Sequence, residues 1–400
     1  MSGAGPDIDD RSFACARVAD VMNQIRTDRH FSALDGLRGL AILLVIPHNA
    51  DAFHGTLWPA AILAHLGWIG VQLFFVLSGF LITGNLLDSR NAPNYYKSFF
   101  ARRVLRIFPL YYGVLIVTFL VLPHFTPLPE KMVSTQHHQI WLWTFLVNWT
   151  EPFGRSVEGF SHFWSLAVEE QFYLIWPFLL HRRNPETVFW LSVGLIVAAF
   201  IIRCVLLLNG ARTGVLYMFT FCRMDALAAG AAAAALVRIP RGIEVFRRHS
   251  HRWWRTGLIL AILGTLPTGI YALEGTGTYT VGYTILSLAF AAFVLGGIAE
   301  PTGSGRFYQK ILNLRPLRSV GRYSYGMYIF HMFIIVGAGG SILARLRPVF
   351  PIWYPAVYAL VIAVLSYCVA FVSYHGFEKH FLKLKRRFTP VRSAALQPST

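Results

Sequence analysis

Charged and titratable side chains interrupt apolar stretches of this 400-residue sequence, where they are costly and therefore informative. The clearest stretch contains Glu169 and Glu170 side by side, followed by Tyr173. Ser165, Glu169 and Tyr173 are four residues apart, so a helix would place them on one face. A carboxylate on that face needs a polar cavity or a cationic partner. Glu169 and Glu170 are therefore candidates for acid–base chemistry, with a structural ion pair to an arginine as the alternative.

His48 is a second candidate, and it follows Arg38 by ten residues in an apolar helix that begins near Asp35. At ~1.5 Å per residue, the His48 ring would lie ~15 Å beyond Arg38, near mid-membrane. Histidine is well suited to proton transfer near neutral pH. Glu169, or alternatively Asp51 three residues after His48, could orient its ring. The alternative is a buried histidine that is only hydrogen-bonded to a neighbouring helix.

Arg103 and Arg106 are three residues apart and share a helical face. Guanidinium groups bind phosphate through paired N–H donors, so this face suits a phosphorylated ligand. A basic patch that only sets membrane topology is the alternative, and it explains the adjacent Arg102 better than the other two arginines.

Hydroxyl groups and a second histidine occupy a later apolar stretch. Ser324, Tyr328 and His331 share a helical face there, which predicts that they line one wall of the same cavity. Ser324 and Tyr325 are candidate donors to an oxyanion.

Arg223 and Asp225 lie two residues apart in another apolar helix, and we interpret them as structural partners of other buried charges. The four cysteines show no metal-ligand spacing, so the sequence predicts neither a metal site nor a disulfide framework.

Membrane-spanning helices are required to hold these groups. The sequence is 55% apolar and only 14% charged, with a mean hydropathy of +0.50, which excludes an ordinary water-soluble domain. A window of ~20 apolar residues predicts an all-α, polytopic transmembrane helix bundle with about ten spanning helices. Residues 139–150 are too few to cross, so we expect them to be re-entrant or interfacial. Residues 1–30 lack the apolar core of a cleavable signal peptide, which predicts that the first helix is an uncleaved anchor.

The net charge of +17 is compatible with nucleic acid or anionic lipid as a partner. If residues 139–150 do not cross, most of the 36 Lys and Arg residues fall on one side of the membrane, which predicts cytoplasmic N- and C-termini in a cell inner membrane. A basic excess at helix ends is the usual partner of membrane lipid. We therefore expect no nucleic-acid binding.

Six segments occur in the order of a known family. They read LDGLRGLAILLV, VQLFFVLSGFLIT, ARRVLRIFPLYY, FWSLAVEEQFYLIWP, FCRMDALAAG and SYGMYIFH. In these segments the chain resembles the acyltransferase-3 family of membrane acyltransferases, which act on bacterial polysaccharides and some secondary metabolites. The resemblance covers residues 32–388, between a polar N-terminal segment, 1–31, and a C-terminal tail, 389–400.

The resemblance implies an O-acyltransferase that moves an acyl group, usually acetyl, from acyl-CoA to a hydroxyl of a carbohydrate or glycosylated natural product. It implies that His48 and Glu169 are catalytic residues and that Arg103 and Arg106 bind acyl-CoA. We add Arg38 to the residues that bind acyl-CoA. Acyl-CoA is then a donor substrate, and no tightly bound cofactor is expected. Supporting roles are expected for Asp35, Asp51, Glu170, Tyr173, Ser324, Tyr325 and His331.

One spacing departs from the family pattern. Arg38 and His48 are ten residues apart, where the family has eleven, so His48 is turned about 80° from Arg38 around an ideal helix. Pro47 could kink the helix enough to re-aim the ring. An ion-coupled transporter or flippase of a lipid-linked or glycolipid substrate is the alternative function, because buried His, Glu and Arg also suit carriers. We find no repeated halves in the sequence, which disfavours a carrier.

Overall fold

The computed structural model describes residues 31–50, 65–127, 130–155, 157–269, 271–272, 275–299 and 302–391. Within these ranges every regular element is helical, which confirms the all-α prediction. The α-helices are α1 (Ser32–Ala50), α2 (Ile69–Asp88), α3 (Tyr95–Ile116), α4 (Glu130–His137), α5 (Ile140–Trp143), α6 (Trp164–Leu180), α7 (Pro185–Leu208), α8 (Thr213–Met218), α9 (Thr220–Leu236), α10 (Pro240–Arg248), α11 (Trp253–Leu263), α12 (Thr265–Thr268), α13 (Tyr283–Ile298), α14 (Gly305–Leu312), α15 (Arg315–Ile334), α16 (Gly340–Val349), α17 (Tyr354–Ser373) and α18 (Lys379–Leu384).

Shorter helical turns extend or join several of these helices. π-Helical turns follow α3, precede α13, join α15 to α16 and join α17 to α18; they are Val117–Val121, Thr278–Gly282, Ile335–Gly339 and Tyr374–Glu378. The 3-10 turns are Leu122–His124, Val147–Trp149, Ser161–Phe163 and Lys385–Phe388.

Seven helical segments in the described ranges are long and apolar enough to cross a membrane, so the chain is a multi-pass membrane protein. They are Ile69–Asp88, Tyr95–His124, Pro185–Leu208, Thr213–Leu236, Thr278–Ile298, Arg315–Val349 and Tyr354–Phe388. Three other stretches that the sequence predicts to span contain α1, α6 and α11, which are too short or too polar to meet the same criterion. The predicted count of about ten spans is therefore not confirmed.

Residues 139–150 form two short helical turns, separated by Phe145 at a φ of 54°. Neither turn is long enough to cross, as predicted. The Tyr111 hydroxyl donates to the Leu142 carbonyl oxygen at 2.8 Å, and the Gln171 amide donates to that of Phe145 at 2.8 Å. Irregular backbone is tolerated inside a membrane protein where protein groups satisfy it. Side chains of α3 and α6 supply those groups.

Helices α2 and α9 pack closely because glycines lie at their crossing. A Cβ at Gly79 would lie 1.9 Å from the Leu227 carbonyl oxygen, and one at Gly230 would lie 2.0 Å from that of Val76. The alanine-rich run at 226–235 continues this contact with small side chains, which allow close helix packing.

Helices α1 and α15 meet in the same way. A Cβ at Gly321 would lie 1.8 Å from the Asp35 carbonyl oxygen, and one at Gly39 would lie 2.2 Å from that of Leu317. This close approach brings Arg38 of α1 and the hydroxyl groups of Ser324 and Tyr325 on α15 to the same side of the bundle.

A fully buried ion pair joins α7 to α9. The Arg203 guanidinium lies 2.9 Å from the Asp225 carboxylate, and it also donates to the Cys222 carbonyl oxygen at 2.6 Å and to the Thr284 hydroxyl at 2.7 Å. Such additional hydrogen bonds offset part of the cost of burying the pair, while Arg203 Nε and Asp225 Oδ1 have no hydrogen-bond partner among the described residues. The structural interpretation of Asp225 is confirmed, and its partner is Arg203.

Arg223 is also fully buried, and its guanidinium carbon lies 4.0 Å from the ring centre of Tyr283. Three further rings surround it, those of Phe75, Trp164 and Tyr217. Cation–π contacts of this kind stabilise a desolvated guanidinium and support a structural role. The predicted pairing of Arg223 with another buried charge is not seen, because its guanidinium nitrogens have no hydrogen-bond partner among the described residues.

Candidate active site

A polar cavity lies between α1, α2, α3, α6 and α15, and its empty volume is about 780 Å³, including the part open to the surface. Its polar lining consists of Arg38, Ser78, Arg103, Arg106, Ser165, Glu169, Tyr173, Ser324, Tyr325 and Tyr328. The Ser165, Glu169 and Tyr173 side chains all line it, as their spacing on one helical face predicts. We call this space the central cavity.

Three arginines form one end of the central cavity. Arg38 comes from α1, whereas Arg103 and Arg106 come from α3, and the three guanidinium groups are close enough to interact electrostatically. Asp35 lies 3.6 Å from Arg38 and offsets part of this charge. Arg102 is adjacent in sequence but does not line the cavity. The arginine end can therefore bind an anion with several phosphate oxygens.

A carboxylate and two hydroxyl groups adjoin the arginine end. The Tyr173 hydroxyl donates to Glu169 Oε2 at 2.8 Å, so its oxygen accepts the proton of the nearby Ser78 hydroxyl. The Arg103 guanidinium carbon lies 5.2 Å from the centre of the Tyr173 ring. Glu169 is thus held in a defined orientation by α6 and sits in the electrostatic field of the arginines.

Glu170 occupies a different position from Glu169. It does not line the central cavity, and its buried Oε1 has no hydrogen-bond partner among the described residues. Its strongest electrostatic neighbours include Glu169 and Arg103. A buried carboxylate without a donor is costly unless opposite charge compensates it, and Glu170 has both the carboxylate of Glu169 and the guanidinium of Arg103 as neighbours.

The opposite end of the central cavity is lined by hydroxyl groups. The Ser165 and Tyr328 hydroxyl oxygens are 2.6 Å apart, and Tyr328 donates to the His162 carbonyl oxygen at 2.7 Å. We call this the hydroxyl end.

The two expected oxyanion donors already have acceptors. Ser324 donates to the Gly321 carbonyl oxygen at 2.9 Å, and Tyr325 donates to that of Ile107 at 2.7 Å. Both side chains line the central cavity, but either would have to exchange its backbone acceptor for an oxyanion.

Two buried histidines lie behind the hydroxyl end, with their ring centres 5.2 Å apart. His331 Nδ1 lies 2.6 Å from the Tyr328 carbonyl oxygen, and Nε2 lies 2.8 Å from the Asn49 amide nitrogen. Nδ1 therefore carries the proton and Nε2 accepts one from Asn49. His162 was not predicted as a site residue, although it is a titratable residue directly before the FWSLAVEE segment.

His48 lies near the C-terminal end of α1, which continues through Pro47 to Ala50. It packs against the turn just before α2, since a Cβ at Gly67 would lie 2.6 Å from the His48 Cβ. His48 does not line the central cavity. Its neighbour Asn49 contacts His331, three residues after Tyr328, so His48 lies just beyond the hydroxyl end.

The structure thus brings Arg38, Arg103, Arg106, Glu169 and Tyr173 together and keeps His48 apart from them. Glu169 hydrogen-bonds to Tyr173, so the expected orientation of His48 by Glu169 is not seen. Asp51, the other candidate for that role, lies outside the described residues.

A second cavity opens beside the histidine pair. Its lining residues are Val147, Thr150, Glu151, Val157, Glu158, Gly159, Ser161, Met218, Met332 and Val336. Ser161 and Met332 are the chain neighbours of His162 and His331, so the two histidines lie in the wall between the two cavities. We call this the acidic cavity because of Glu151 and Glu158. In the described part of the chain, no group of His, Cys, Asp and Glu side chains could hold a metal ion.

Comparison with known proteins matches the chain to one protein family and to several relatives. The Acyl_transf_3 family, described as an acyltransferase domain, matches residues 31–375. The chain is 28% identical over 367 residues to the peptidoglycan O-acetyltransferase OatA of Listeria monocytogenes, and this covers 88% of the chain and 55% of that protein. It is 29% identical over 369 residues to the putative peptidoglycan O-acetyltransferase YrhL of Bacillus subtilis, with the same coverage.

A third relative is the O-acetyltransferase OatA of Staphylococcus aureus, at 26% identity over 377 residues, which cover 86% of the chain and 57% of that protein. The chain therefore matches little more than half the length of these relatives. No solved structure matches it.

Proposed function

Because the chain belongs to the acyltransferase-3 family and is an acyltransferase, we propose that it transfers an acetyl group from acetyl-CoA to a hydroxyl of a carbohydrate. The transfer of acetyl groups is supported by the relatives, which are named O-acetyltransferases. The donor and the carbohydrate acceptor are our proposals.

The proposal of acetyl-CoA as the donor rests on the arginine end of the central cavity. Arg38, Arg103 and Arg106 converge there from two helices. CoA combines phosphate groups with a flexible arm that ends in the thioester. Its phosphates would bind the arginines, and the arm would extend along the cavity towards the hydroxyl end.

The acceptor would approach from the acidic cavity. Glu151 and Glu158 carboxylates and the Ser161 hydroxyl are among its lining groups, and such groups can accept hydrogen bonds from sugar hydroxyls. Two relatives are named as peptidoglycan O-acetyltransferases, one of them putatively, which supports a carbohydrate of bacterial cell-wall type. The wall that contains His162 and His331 would then be where donor and acceptor meet.

His48 is the proposed general base, because a hydroxyl is a weak nucleophile until a base takes its proton. The acceptor oxygen would bond to the acyl carbon as the carbon–sulfur bond breaks. His48 would receive the acceptor proton and return it to the CoA thiolate. Tyr173 and the arginines would hold Glu169 in a fixed orientation beside the donor.

The proposed orientation places the arginine end at the cytoplasmic face of the inner membrane, where CoA is found. Both termini would lie on the same side. The distribution of Lys and Arg supports this orientation.

Membranes that contain the protein should transfer label from acetyl-CoA to a cell-wall glycan acceptor, and control membranes without it should not. Acetyl phosphate offered in a parallel sample distinguishes the donors. Label that comes only from acetyl phosphate would refute the CoA donor and leave the acyltransferase activity standing. Label found in lipid rather than in glycan would refute the acceptor.

A further inference from the structure

One face of helix α2 forms a mostly apolar wall of the central cavity. The lining residues on this face recur at helical spacing and are Val71, Phe74, Phe75, Ser78, Leu81 and Ile82. They extend over eleven residues, so the wall is ~16 Å long at ~1.5 Å per residue. Helix α2 therefore offers a long apolar surface to a ligand that binds in the cavity. We call it the α2 wall.

Side-chain contacts show which end of the α2 wall is which. The Ser78 hydroxyl is hydrogen-bonded to that of Tyr173, whose ring packs against the Arg103 guanidinium. Ser78 therefore lies near the arginine end. Phe74, one helical turn earlier, contacts the Tyr328 ring edge to face, with ring centres 6.3 Å apart. The α2 wall thus runs from the arginine end, past Ser78, to Phe74 at the hydroxyl end.

Phe74 and Phe75 are adjacent but have different surroundings. Phe75 is fully buried, and its ring centre lies 5.8 Å from that of Trp164. Phe74 lines the same cavity but is only partly buried. Packing of the bundle accounts for the Phe75 ring, whereas part of the Phe74 ring stays accessible. A ligand that reaches the hydroxyl end would therefore contact Phe74.

The helix that carries Phe74 has little freedom to move away from such a ligand. Five residues later, Gly79 packs so closely against α9 that a Cβ there would lie 1.9 Å from the Leu227 carbonyl oxygen. Leu166 of α6 also lines the cavity and is buried. The space for hydrocarbon at the hydroxyl end is therefore limited by side chains on helices that are already closely packed.

We propose that Phe74 limits the length of the acyl group that the protein transfers, because its ring occupies the space where a longer hydrocarbon chain would lie. The presence of the acyl group at the hydroxyl end rests on the proposed function. The length limit itself rests on Phe74, and it applies whichever activated form carries the acyl group. In a hydrophobic pocket, one methylene changes the relative kcat/KM of two substrates by about 10–200-fold.

The test measures kcat/KM for acetyl-, propanoyl- and butanoyl-CoA with membranes that contain matched amounts of protein. Phe74→Ala should raise the ratio of butanoyl-CoA to acetyl-CoA by at least about tenfold, the effect of one methylene. Phe74→Leu should give an intermediate ratio. Leu81→Ala is the matched control, since it shortens an apolar side chain of the same wall beyond Ser78. It should keep the ratio within about twofold of the wild-type value, whatever its effect on KM.

The ratio separates a length limit from a general loss of structure, because a destabilised variant loses activity with all three donors alike. An unchanged ratio in Phe74→Ala, or an equal change in Leu81→Ala, would overturn the proposal. So would a wild-type protein that transfers butanoyl as readily as acetyl. Should Phe74→Ala not fold, Phe74→Leu provides the comparison.

A parallel series of acyl phosphates distinguishes this proposal from the proposed donor. Transfer from acyl phosphates alone, with the same dependence on Phe74, would refute the CoA donor and support the length limit. Transfer from acyl-CoA without dependence on Phe74 would leave the donor standing and refute the length limit. Absence of transfer from both series would overturn both proposals.

Discussion

Three arginines in one short run have different surroundings. Arg103 and Arg106 line the central cavity, whereas Arg102 does not. The Arg103 guanidinium also packs on the Tyr173 ring, which in turn holds Glu169. A change at Arg103 or Arg106 therefore reaches the proposed donor site directly, and a change at Arg102 alters only the charge around it.

Arg103→Ala and Arg106→Ala should each raise the KM for acetyl-CoA by about tenfold or more, because each removes a charged donor to phosphate. Arg102→Ala is the control and should change the KM by less than about twofold. Lysine at 103 or 106 should rescue poorly, since one ammonium lacks the two-pronged guanidinium geometry. Similar KM values for all three alanine variants would show that the run acts as a general basic patch.

Replacing His48 by Ala should lower kcat by ~100-fold or more, the usual scale for a lost general base. Folding should be preserved, because the His48 side chain is only partly buried. The rate would be measured in membranes with matched amounts of protein. His331→Ala is a useful comparison, since that ring is fully buried and hydrogen-bonded on both nitrogens, and its loss should reduce stability as well as rate. A His48→Ala protein with wild-type turnover would exclude this residue as the base.

At the scale of helices, glycine contacts determine how closely the walls of the central cavity approach. Gly79 on α2 and Gly230 on α9 each face a backbone carbonyl of the other helix at a distance that no Cβ can occupy. Because α2 also contributes Ser78 to the cavity, its position affects both packing and the site.

Gly79→Ala should therefore destabilise the protein by about 1–3 kcal/mol, the usual effect of overpacking. Gly194→Ala on α7 is the matched control, since no other group lies within 4 Å of the added Cβ. The control should be neutral or slightly stabilising, because alanine favours helix. Thermal unfolding in detergent compares the two variants. Equal melting temperatures would mean that α2 and α9 can move apart without loss of stability.

Orientation in the membrane is a property of the whole molecule. In a version without Cys15, Cys204, Cys222 and Cys368, single cysteines at Ser250 and Thr276 should label differently with a membrane-impermeant maleimide. Thr276 is exposed in the turn before α13 and should react on intact cells. Ser250, after the basic helix α10, should react only after permeabilisation. The reverse pattern would place the 238–255 loop outside the cell and overturn the charge-based orientation.

The spacing of residues along the chain predicted those parts of the site that lie on a single helix. Ser165, Glu169 and Tyr173 share a face because helix periodicity depends only on residue number. The approach of His162 to His331 and of Arg203 to Asp225 depends on how distant helices dock, and no periodic pattern records that. The number of spans was uncertain for a related reason: Asp35 and Arg38 make α1 more polar, and tertiary contacts determine whether such a helix crosses.

The ion pair between α7 and α9 has a consequence for synthesis of the protein. Arg203 leaves the ribosome about twenty residues before Asp225, a delay of roughly one to four seconds at usual elongation rates. During that time α7 would expose an unpaired guanidinium to lipid, at a cost of about 2.5–3.5 kcal/mol or more. Helix α7 is therefore expected to stay beside the insertion machinery until α9 emerges, so that the two helices enter the bilayer as a pair.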